Sequence, residues 1–541
     1  MSIRERGVTP VSSSIVCSDL SFAWPDGEVV FDGFSLAIGE GRTGLIGLNG
    51  SGKSTFLRLI TGELRPAAGS VSVSGELGYL PQNLILAAER RVDEVLGVAA
   101  VRAALAAIER GEADERWFAT VGEQWDVEER TRATLDQLGL AHVALDARAG
   151  ELSGGELILL GLAAQFLRQP DVLVLDDPTH NLDLRARRLV GEAVRAWKGV
   201  LVLVSHDREL LRHVDRIGEL RSGEVTFYGG NLEDYEAAVA VQQEAASRML
   251  RAAESDLRRQ KRELAEARTK LDRRARYGRK QWENKREPKV RMRKRQEDAE
   301  IAAGKHRTMH LGKVTEAEDR LKAAEEAVRA DAEIRIDLPE TSVPSGKEVL
   351  TLSEVELRNG LAVNLAVRGP ERIALVGPNG SGKTTLLRTI TGAIEPRSGT
   401  VRVPVPVRWL PQRLDVLDDT LSAAQNVARA APSVSNNEIR AQLARFLLRG
   451  NRADQPAGSL SGGERFRATL ATLLLAEPAP QLLLLDEPTN NLDLASVRQL
   501  SEALRSYAGA LIVVSHDLPF LRTIGATRWV RLGSTVEETA G

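Results

Sequence analysis

The sequence lacks most of the features that place a protein in a membrane or in an oxidising compartment. Its 541 residues include one cysteine, Cys17, so an internal disulfide is excluded. No base lies near Cys17 in the sequence, and we expect a packed side chain rather than a nucleophile. No run of about 18 apolar residues is present, and no apolar segment follows the charged N-terminus. We therefore expect a cytoplasmic chain that does not span a membrane.

The sequence also lacks an overall excess of charge of either sign. Lysine and arginine number 73 against 75 aspartates and glutamates, and this net charge of −2 by itself predicts no affinity for nucleic acid. The charge is unevenly distributed, because residues 271–310 hold 14 basic and 6 acidic residues, a net charge of +8 that leaves −10 for the rest. With 43% hydrophobic and 27% charged residues, the composition is that of a globular protein.

One set of motifs occurs twice in the same order. The segment GLNGSGKST at 47–55 recurs as GPNGSGKTT at 377–385, and in each half it is followed by LPQ, LSGGE, an apolar run ending in two acidic residues, and VSHD. This order predicts a duplicated domain, with copies at 1–240 and 336–541. The first copy has about 22 extra residues between LPQ and LSGGE. We place them within 87–130, where the pattern predicts a helix.

The segment between the copies, 241–335, has the pattern of two long helices paired as an antiparallel hairpin. Apolar residues recur seven apart in two runs separated by an interruption, namely Leu250, Leu257, Leu264 and Leu271, and then Val314, Leu321 and Val328. Three breaks in the pattern, at Gly278, Pro288 and Gly304, predict the tip of the hairpin at about 272–308. The basic residues are concentrated at this tip.

Each glycine-rich segment has the spacing of a P-loop, which binds phosphate. Glycines let the backbone N–H groups turn toward phosphate oxygens, a lysine reaches the β and γ phosphates, and the next hydroxyl ligates Mg²⁺. The first loop comprises Gly47, Asn49, Gly50, Ser51, Gly52, Lys53, Ser54 and Thr55. The second comprises Gly377, Asn379, Gly380, Ser381, Gly382, Lys383, Thr384 and Thr385. We expect ATP and Mg²⁺ at both, because no guanine-specific motif is present in a suitable place.

Two acidic residues follow each of the apolar runs VLVL and LLLL. A carboxylate at the end of a buried strand is costly unless a cation or substrate requires it. Asp176 and Asp486 are therefore expected to hold Mg²⁺ directly or through water. Glu487 is expected to position or deprotonate the attacking water. In the first copy Asp177 stands in that place.

These motifs resemble those of ATP-binding cassette ATPases, and two cassettes joined by a charged helical hairpin resemble the ABC-F family. The resemblance implies an α/β fold, with two P-loop cassettes of mixed sheets and helical subdomains joined by an antiparallel hairpin. It also implies a monomer whose halves pair head to tail, so that ATP on one half is capped by the LSGGE loop of the other. The capping residues would be Ser153, Gly154 and Gly155 and, in the other loop, Ser461, Gly462 and Gly463.

Further roles follow from the same resemblance. Gln82 and Gln412 would contact Mg²⁺ and the attacking water, and His206 and His516 would sense the γ-phosphate. Trp24 is placed to stack on adenine, with Phe22 as the second candidate. The second copy has no aromatic residue there, and near Leu357 only Arg358 offers a stacking group.

The two nucleotide sites are predicted to be unequal. An aspartate at position 177 withdraws the carboxylate by about 1 Å relative to a glutamate, a displacement that can cost on the order of a hundredfold in rate. We expect slow turnover at the first site and hydrolysis at the second.

Members of the ABC-F family bind ribosomes, inserting the hairpin toward the tRNA sites, and act as translation factors or as antibiotic-resistance proteins. Here the basic tip interleaves arginines with Tyr277 and Trp282, a composition suited to RNA phosphates and bases. We therefore favour ribosome protection, with ribosomal RNA and tRNA as partners. A general translation factor and an ATPase subunit of a membrane transporter remain as alternatives, and a solvated linker remains as an alternative for the hairpin.

Overall fold

A computed structural model describes residues 14–82, 88–180, 182–221, 223–283, 289–327, 338–412, 416–448, 450–490, 492–533 and 535–540. The chain forms two compact units. The cassette unit comprises Met1–Tyr235 and Glu333–Gly541 and contains both repeats, and the hairpin unit comprises Glu236–Ala332. The fold class is the predicted one, α/β with two cassettes and a helical hairpin.

The first cassette has nine strands and seven helices among its described residues. The strands are β1 Ser14–Ala23, β2 Val29–Ile38, β3 Gly41–Gly47, β4 Ala68–Ser74, β5 Leu77–Leu80, β6 Val172–Asp176, β7 Val200–Val204, β8 Arg216–Arg221 and β9 Glu224–Gly229. The helices are α1 Lys53–Ile60, α2 Val92–Val95, α3 Ala99–Glu109, α4 Glu115–Val121, α5 Val127–Gln137, α6 Gly154–Arg168 and α7 Leu184–Ala196.

The hairpin unit and the second cassette contain the remaining elements. The long helices are α8 Leu232–Glu283 and α9 Lys289–Ala327. The strands of the second cassette are β10 Glu348–Glu356, β11 Ala362–Arg368, β12 Arg372–Val376, β13 Ser398–Arg402, β14 Val407–Leu410, β15 Leu482–Asp486, β16 Ala510–Val514, β17 Arg528–Leu532 and β18 Val536–Ala540. Its helices are α10 Lys383–Ile390, α11 Ala423–Ala430, α12 Asn436–Arg445, α13 Gly462–Leu474, α14 Leu494–Ser506 and α15 Leu518–Thr523.

Each cassette is built on a six-stranded sheet with the same strand order. The orders are β5-β6-β7-β3-β8-β9 and β14-β15-β16-β12-β17-β18, parallel except for the last, antiparallel strand. A second, three-stranded antiparallel sheet accompanies each, in the orders β2-β1-β4 and β11-β10-β13. The P-loop strands β3 and β12 lie inside the large sheets, so the phosphate loops emerge at the carboxyl edge where α/β sheets bind ligands.

Continuous apolar runs produce the central strands. All five residues of β6, β7, β15 and β16 are buried, including the terminal aspartates of β6 and β15. Strands covered on both faces read as apolar runs rather than alternating patterns. The acidic residues are therefore held at the rigid end of a buried strand, beside the P-loop.

The two long helices run antiparallel within the hairpin unit. Lys261 Nζ lies 3.0 Å from the Glu318 carboxylate, and Arg320 lies 3.3 Å from Asp256. The residue numbers of these contacts increase along α8 while they decrease along α9, which requires that the two helices pack antiparallel.

The predicted tip of the hairpin was too wide. Gly278 lies inside α8 and Gly304 inside α9, so neither glycine ends a helix. A single glycine costs a helix about 1 kcal/mol, which is too little to end a helix as long as α8 or α9. Pro288 and the side chains of Tyr277, Trp282 and Lys285 lie outside the described residues.

The extra residues of the first cassette form helices. In the first cassette an isolated β-bridge pairs Arg91 with Arg148, and in the second cassette one pairs Ser422 with Pro456. The two bridges mark corresponding points of the repeats. Between these points the first cassette has α3 and α4 in addition to the helices that the second cassette has.

Candidate functional site

The two P-loops have the same backbone conformation. Gly52 and Gly382 precede the first helical residue with φ of 97° and 99°, a left-handed conformation that favours glycine. A Cβ on Gly52 would lie 2.6 Å from Val30 Cγ1, and one on Gly382 would lie 2.5 Å from Asn359 Nδ2. Glycine is required at both positions by conformation and by space.

The P-loop lysines are buried beneath their loops. Lys53 Nζ donates to the carbonyls of Gly47 and Leu48, both at 2.9 Å, and Lys383 makes the equivalent bonds in its own loop at 2.7 and 2.9 Å. Burial lowers the pKa of Lys53 to about 8 and also lowers the pKa of Lys383. A buried cation that is held by carbonyl groups is suited to an anionic ligand such as a phosphate.

A cavity opens beside each P-loop, and most of the predicted site residues line these two cavities. The first, of about 480 Å³, is lined by Trp24, Glu28, Val30, Asn49, Gly50, Gly52, Lys53, Ser54, Thr55, Gln82, Asp176, Asp177, Val204 and His206. The second, of about 440 Å³, is lined by Leu182, Arg187, Asn359, Asn379, Gly380, Gly382, Lys383, Thr384, Thr385, Gln412, Asp486, Glu487, Asn490, Val514 and His516.

Some predicted residues lie outside both linings. The four P-loop members not in contact with a cavity are Gly47, Ser51, Gly377 and Ser381. The hydroxyls of Ser51 and Ser381 are buried and have no hydrogen-bond partner among the described residues.

The LSGGE residues lie at two helix starts and line neither cavity. Ser153 and Ser461 cap α6 and α13, each in a capping box with the glutamate three residues later. The remaining members of the two loops are Gly154, Gly155, Gly462 and Gly463.

The strand-end aspartates have the surroundings of a magnesium site. Burial raises the pKa of Asp176 and of Asp486, while a hydroxyl hydrogen bond, from Ser54 and Thr384 respectively, opposes the shift. Asp486 Oδ2 is buried without a hydrogen-bond partner in the described part of the chain. Hydroxyl and carboxylate oxygens are ligands that Mg²⁺ prefers, so these residues fit that ion.

No group of three or more His, Cys, Asp or Glu side chains that could hold a metal occurs among the described residues. A magnesium ion that takes its other ligands from phosphates and water does not need such a group. The donor set is therefore consistent with a metal–nucleotide complex.

The next acidic residue in each cassette is strained and buried. Asp177 and Glu487 both have φ of 47°, and their N–H groups donate at 2.8 Å to the neighbouring strand, at Val204 and Val514. Non-glycine residues in this region cost about 1–3 kcal/mol each and are concentrated at functional sites. Burial raises the pKa of both carboxyls to about 7.

The two sites differ in what this carboxylate contacts. The backbone N–H of His516 donates to Glu487 Oε2 at 3.3 Å. The ring nitrogen Nε2 of His516 lies 3.3 Å from Glu487 Oε1, but the two atoms are not aligned for a hydrogen bond. Asp177 instead accepts a hydrogen bond from the Ser205 hydroxyl at 3.5 Å. The shorter side chain of Asp177 therefore meets a different partner from Glu487.

Both histidines are held in the neutral form. Burial lowers the pKa of His206 to about 4 and that of His516 to about 3, and the P-loop lysine of the same cassette lowers each further. The His516 ring nitrogens have no hydrogen-bond partner among the residues that the structure describes. A neutral imidazole with available nitrogens can donate to, or accept from, a phosphate or a water molecule.

The two halves of the cassette unit contact each other at these sites. Asp493 Oδ2, in the second cassette, accepts a hydrogen bond at 3.0 Å from the backbone N–H of Asn49 in the first P-loop. In the other direction, Leu182 and Arg187 of the first cassette line the second cavity. These two residues were missed from the sequence, because nothing local to them indicates a contact with the other half.

Of the two aromatic candidates for stacking on adenine, one lines the first cavity and the other lies in the core. Trp24 lines the first cavity, and Phe22, the second candidate, is buried in the core with its ring centroid 5.1 Å from that of Trp24. In the second cassette Asn359 lines the cavity, while Leu357 is fully buried and Arg358 is not among the lining residues.

Comparisons with known proteins agree with this geometry. The family described as ABC transporter matches residues 31–180 and 361–490. The tylosin resistance ATP-binding protein TlrC of Streptomyces fradiae is 34% identical over 521 residues, which cover 91% of this chain and 92% of TlrC.

Solved structures share the fold at low sequence identity. The RNase-L inhibitor superposes with a TM-score of 0.59 at 20% identity, covering 96% of this chain and 90% of that one. An archaeal ribosome recycling factor in complex with the ribosomal stalk protein aP1 gives 0.58 at 20% identity, covering 96% and 89%.

The described helices include none that is both long and apolar enough to cross a lipid bilayer. Two cassette repeats, matched by the family and joined by a helical hairpin, establish that the chain belongs to the ATP-binding cassette ATPases and, among them, to the ABC-F family.

Proposed function

We propose that this chain is an ATP hydrolase that binds the ribosome through the basic end of its hairpin and protects it from an antibiotic. The observation that carries the proposal is the alignment of TlrC, named for tylosin resistance, with 91% of the chain. The ATPase sites would determine how long the protein stays bound, and the hairpin would make the functional contact.

The nucleotide step begins with ATP in each cavity of a monomer. Lys53 and Lys383 contact the β and γ phosphates, and Trp24 stacks on the adenine of the first nucleotide. The LSGGE loop of the opposite cassette covers each nucleotide, because the helix N-terminus behind Ser153 or Ser461 presents N–H groups to an anion. Bound ATP therefore holds the two halves together.

Hydrolysis takes place mainly at the second site. Glu487 orients the attacking water and accepts its proton, and the neutral His516 contacts the γ-phosphate. Asp486, Thr384 and Gln412 would hold a Mg²⁺ ion, which would supply positive charge to stabilise the phosphate groups of the nucleotide. The first site, with Asp177, retains ATP for longer.

The hairpin supplies the RNA contact. Arg273, Arg276 and Lys280 are exposed near the end of α8. Lysine and arginine that neutralise RNA phosphates release counterions, so affinity falls as salt concentration rises. With a net charge of +8 over residues 271–310, this end of the hairpin is suited to ribosomal RNA and tRNA.

Ribosome binding is tested by co-sedimentation with purified ribosomes. The Asp177→Asn, Glu487→Gln double variant is used with ATP so that hydrolysis does not release the complex. Adding Arg273→Glu, Arg276→Glu and Lys280→Glu is expected to abolish co-sedimentation. The matched control adds Arg251→Glu, Arg258→Glu and Arg262→Glu, the same charge change on exposed residues of α8 farther from its end. Equal binding by both variants would refute the proposal.

Antibiotic protection is tested in a susceptible bacterial host. Expression of the chain is expected to raise the inhibitory concentration of tylosin or of another ribosome-targeting drug, and the Arg273, Arg276, Lys280 variant is expected not to. Unchanged inhibitory concentrations with altered polysome profiles would instead identify a translation factor. Recovery of the ATPase with a membrane partner, and not with ribosomes, would identify a transporter subunit.

A further inference from the structure

The extra residues of the first cassette carry two neighbouring aromatic side chains that are exposed. Phe118 lies on α4, Trp125 lies in the turn before α5, and their ring centroids are 6.2 Å apart. Phe118 is 44% exposed and Trp125 is 54% exposed. Single exposed apolar residues are common on soluble proteins, whereas contiguous ones mark a contact surface. The ATPase mechanism uses neither ring.

Buried residues on both sides fix the position of this aromatic pair. Val121 is the last residue of α4 and Val127 the first of α5, and they are 0% and 1% exposed. Gly122, which follows α4, has φ of 51°, a conformation that favours glycine and lets the chain turn. The rings are therefore presented at the surface by a turn that is anchored at both ends.

The surface that carries the rings is acidic. Residues 112–130 include 7 acidic and 2 basic residues, a net charge of −5, and all of these acidic residues are exposed. Glu115 lies three residues before Phe118 on α4 and so shares its face of the helix. In the sequence, Glu123 precedes Trp125 by two residues and Glu129 follows it by four.

Three of these carboxylates lack a basic partner. Four of the seven pair with an arginine, namely Glu112, Asp114, Asp126 and Glu128. Within the described part of the chain, Glu115, Glu123 and Glu129 make no ion pair. A surface with uncompensated negative charge attracts cations and repels the phosphates of RNA or of an anionic membrane. An uncharged apolar partner would bring these carboxylates nothing to pair with.

A cation already stacks on an aromatic ring next to the pair. The Arg116 guanidinium lies 4.4 Å from the centroid of the Trp117 ring. An arginine can stack on an aromatic face and donate hydrogen bonds to a carboxylate at the same time. Phe118 and Trp125, with the unpaired glutamates beside them, offer both kinds of contact to arginines from another molecule.

The distance between the two rings suits an extended peptide. Alternate side chains of an extended chain point to the same side, and with a rise of about 3.3 Å per residue they lie about 6.6 Å apart. The ring centroids of Phe118 and Trp125 are 6.2 Å apart. Arginines at alternate positions of one strand can therefore reach one ring each.

We propose that the acidic aromatic surface of residues 112–130 binds an arginine-rich polypeptide segment of another protein in extended conformation. Phe118 and Trp125 stack on two of its guanidinium groups, and Glu115, Glu123 and Glu129 pair with its charges. The second cassette lacks the extra segment, so the duplicated domain has gained this contact in one copy only. This surface is separate from both nucleotide cavities and from the hairpin.

The probe is a fluorescein-labelled peptide of six Arg-Ser repeats, with Lys-Ser and Glu-Ser repeats of the same length for comparison. Fluorescence anisotropy measures its binding to the full chain at low and at physiological ionic strength. One variant combines Phe118→Ala with Trp125→Ala, and its control is Val241→Ala with Met249→Ala, which truncates exposed apolar residues of α8.

A second variant reverses the unpaired charges, with Glu115→Lys, Glu123→Lys and Glu129→Lys. Its control makes the same change at exposed glutamates elsewhere in the cassettes, with Glu192→Lys, Glu395→Lys and Glu438→Lys. Thermal unfolding is measured on every variant. If the double alanine variant loses cooperative unfolding, Phe118→Leu with Trp125→Leu takes its place, because leucine fills space but does not stack.

The Arg-Ser peptide is expected to bind more tightly than the Lys-Ser peptide, and the Glu-Ser peptide is expected not to bind. Loss of both rings should weaken binding about tenfold, as for aromatic anchors at interfaces, and should remove the preference for arginine over lysine. Reversal of the three glutamates should weaken binding by about tenfold or more. Neither control should change the affinity more than about twofold.

Fluorine NMR of the chain labelled with 5-fluorotryptophan locates the contact. The Trp125 signal is identified by its absence from Trp125→Phe, and it should shift when the Arg-Ser peptide is added. Failure of the peptide to bind, or equal weakening by the variants and their controls, would overturn the inference. A Trp125 signal that shifts with oligouridylate instead of the peptide would identify an RNA surface, and one that shifts with protein concentration alone would identify a second copy of this chain; either result also overturns it.

Discussion

The Asp493 carboxylate of the second cassette accepts a hydrogen bond at 3.0 Å from the Asn49 N–H in the P-loop of the first. The other oxygen of the same carboxylate accepts from the Ser496 N–H at 2.8 Å and so caps α14. One side chain therefore connects the start of a helix in one half to the phosphate loop of the other.

Replacing Asp493 with alanine should impair both connections. Loss of a helix cap costs about 1 kcal/mol, and removal of the cross-cassette acceptor should weaken ATP binding at the first site severalfold. Thermal unfolding and titration with a fluorescent ATP analogue measure the two effects. Ser435→Ala, which removes the cap of α12, is the matched control. Equal analogue binding by both variants would contradict the cross-cassette role.

The two acidic residues after the central strands should contribute unequally to catalysis. Glu487→Gln is expected to lower steady-state ATP hydrolysis on the order of a hundredfold, the usual contribution of a positioned base. Asp177→Asn is expected to lower it less than about twofold, because the shorter carboxylate already turns over slowly. Phosphate release under saturating ATP measures both. Equal losses would show that the sites are equivalent.

The pH dependence of stability should reveal the buried carboxyl. The pKa of Glu487 is raised from 4.5 to about 7 in the folded protein, so folding retains a proton that the unfolded chain releases. The stability contributed by this group is therefore fully present below pH 4.5 and is lost as the pH rises through about 7.

Glu487→Gln cannot ionise and should remove this dependence. Without nucleotide, the variant should gain stability over the wild type between pH 5 and pH 8, by on the order of 2 kcal/mol. The lowered pKa values of His206 and His516 have the opposite effect on stability, which they reduce as the pH falls below 6.5. Both histidines are present in the wild type and in the variant, so this effect does not alter the difference between them. Thermal unfolding of the wild type and of the variant at each pH measures this effect. A difference in stability between the two that does not change with pH would rule out a protonated Glu487 in the folded protein.

Local chemistry explains why so much of the site could be predicted. A phosphate loop requires glycines, a lysine and a hydroxyl at fixed spacing, and Gly52, Lys53 and Ser54 occur in that order on a strand-to-helix turn. A charged residue at the end of an apolar run, such as Asp486, is costly to bury and so indicates a ligand. The predicted breaks at Gly278 and Gly304 were wrong, because the penalty of one glycine, about 1 kcal/mol, is too small to end a long helix.

The sequence by itself determined the duplication, the fold class and the residues that surround each phosphate loop, because those signals lie within a few residues of one another in each repeat. Only the tertiary structure decided what each half contributes to the other: Asp493 to Asn49, and Leu182 and Arg187 to the second cavity. Contacts across an interface depend on how two surfaces meet, and no spacing along one chain encodes that.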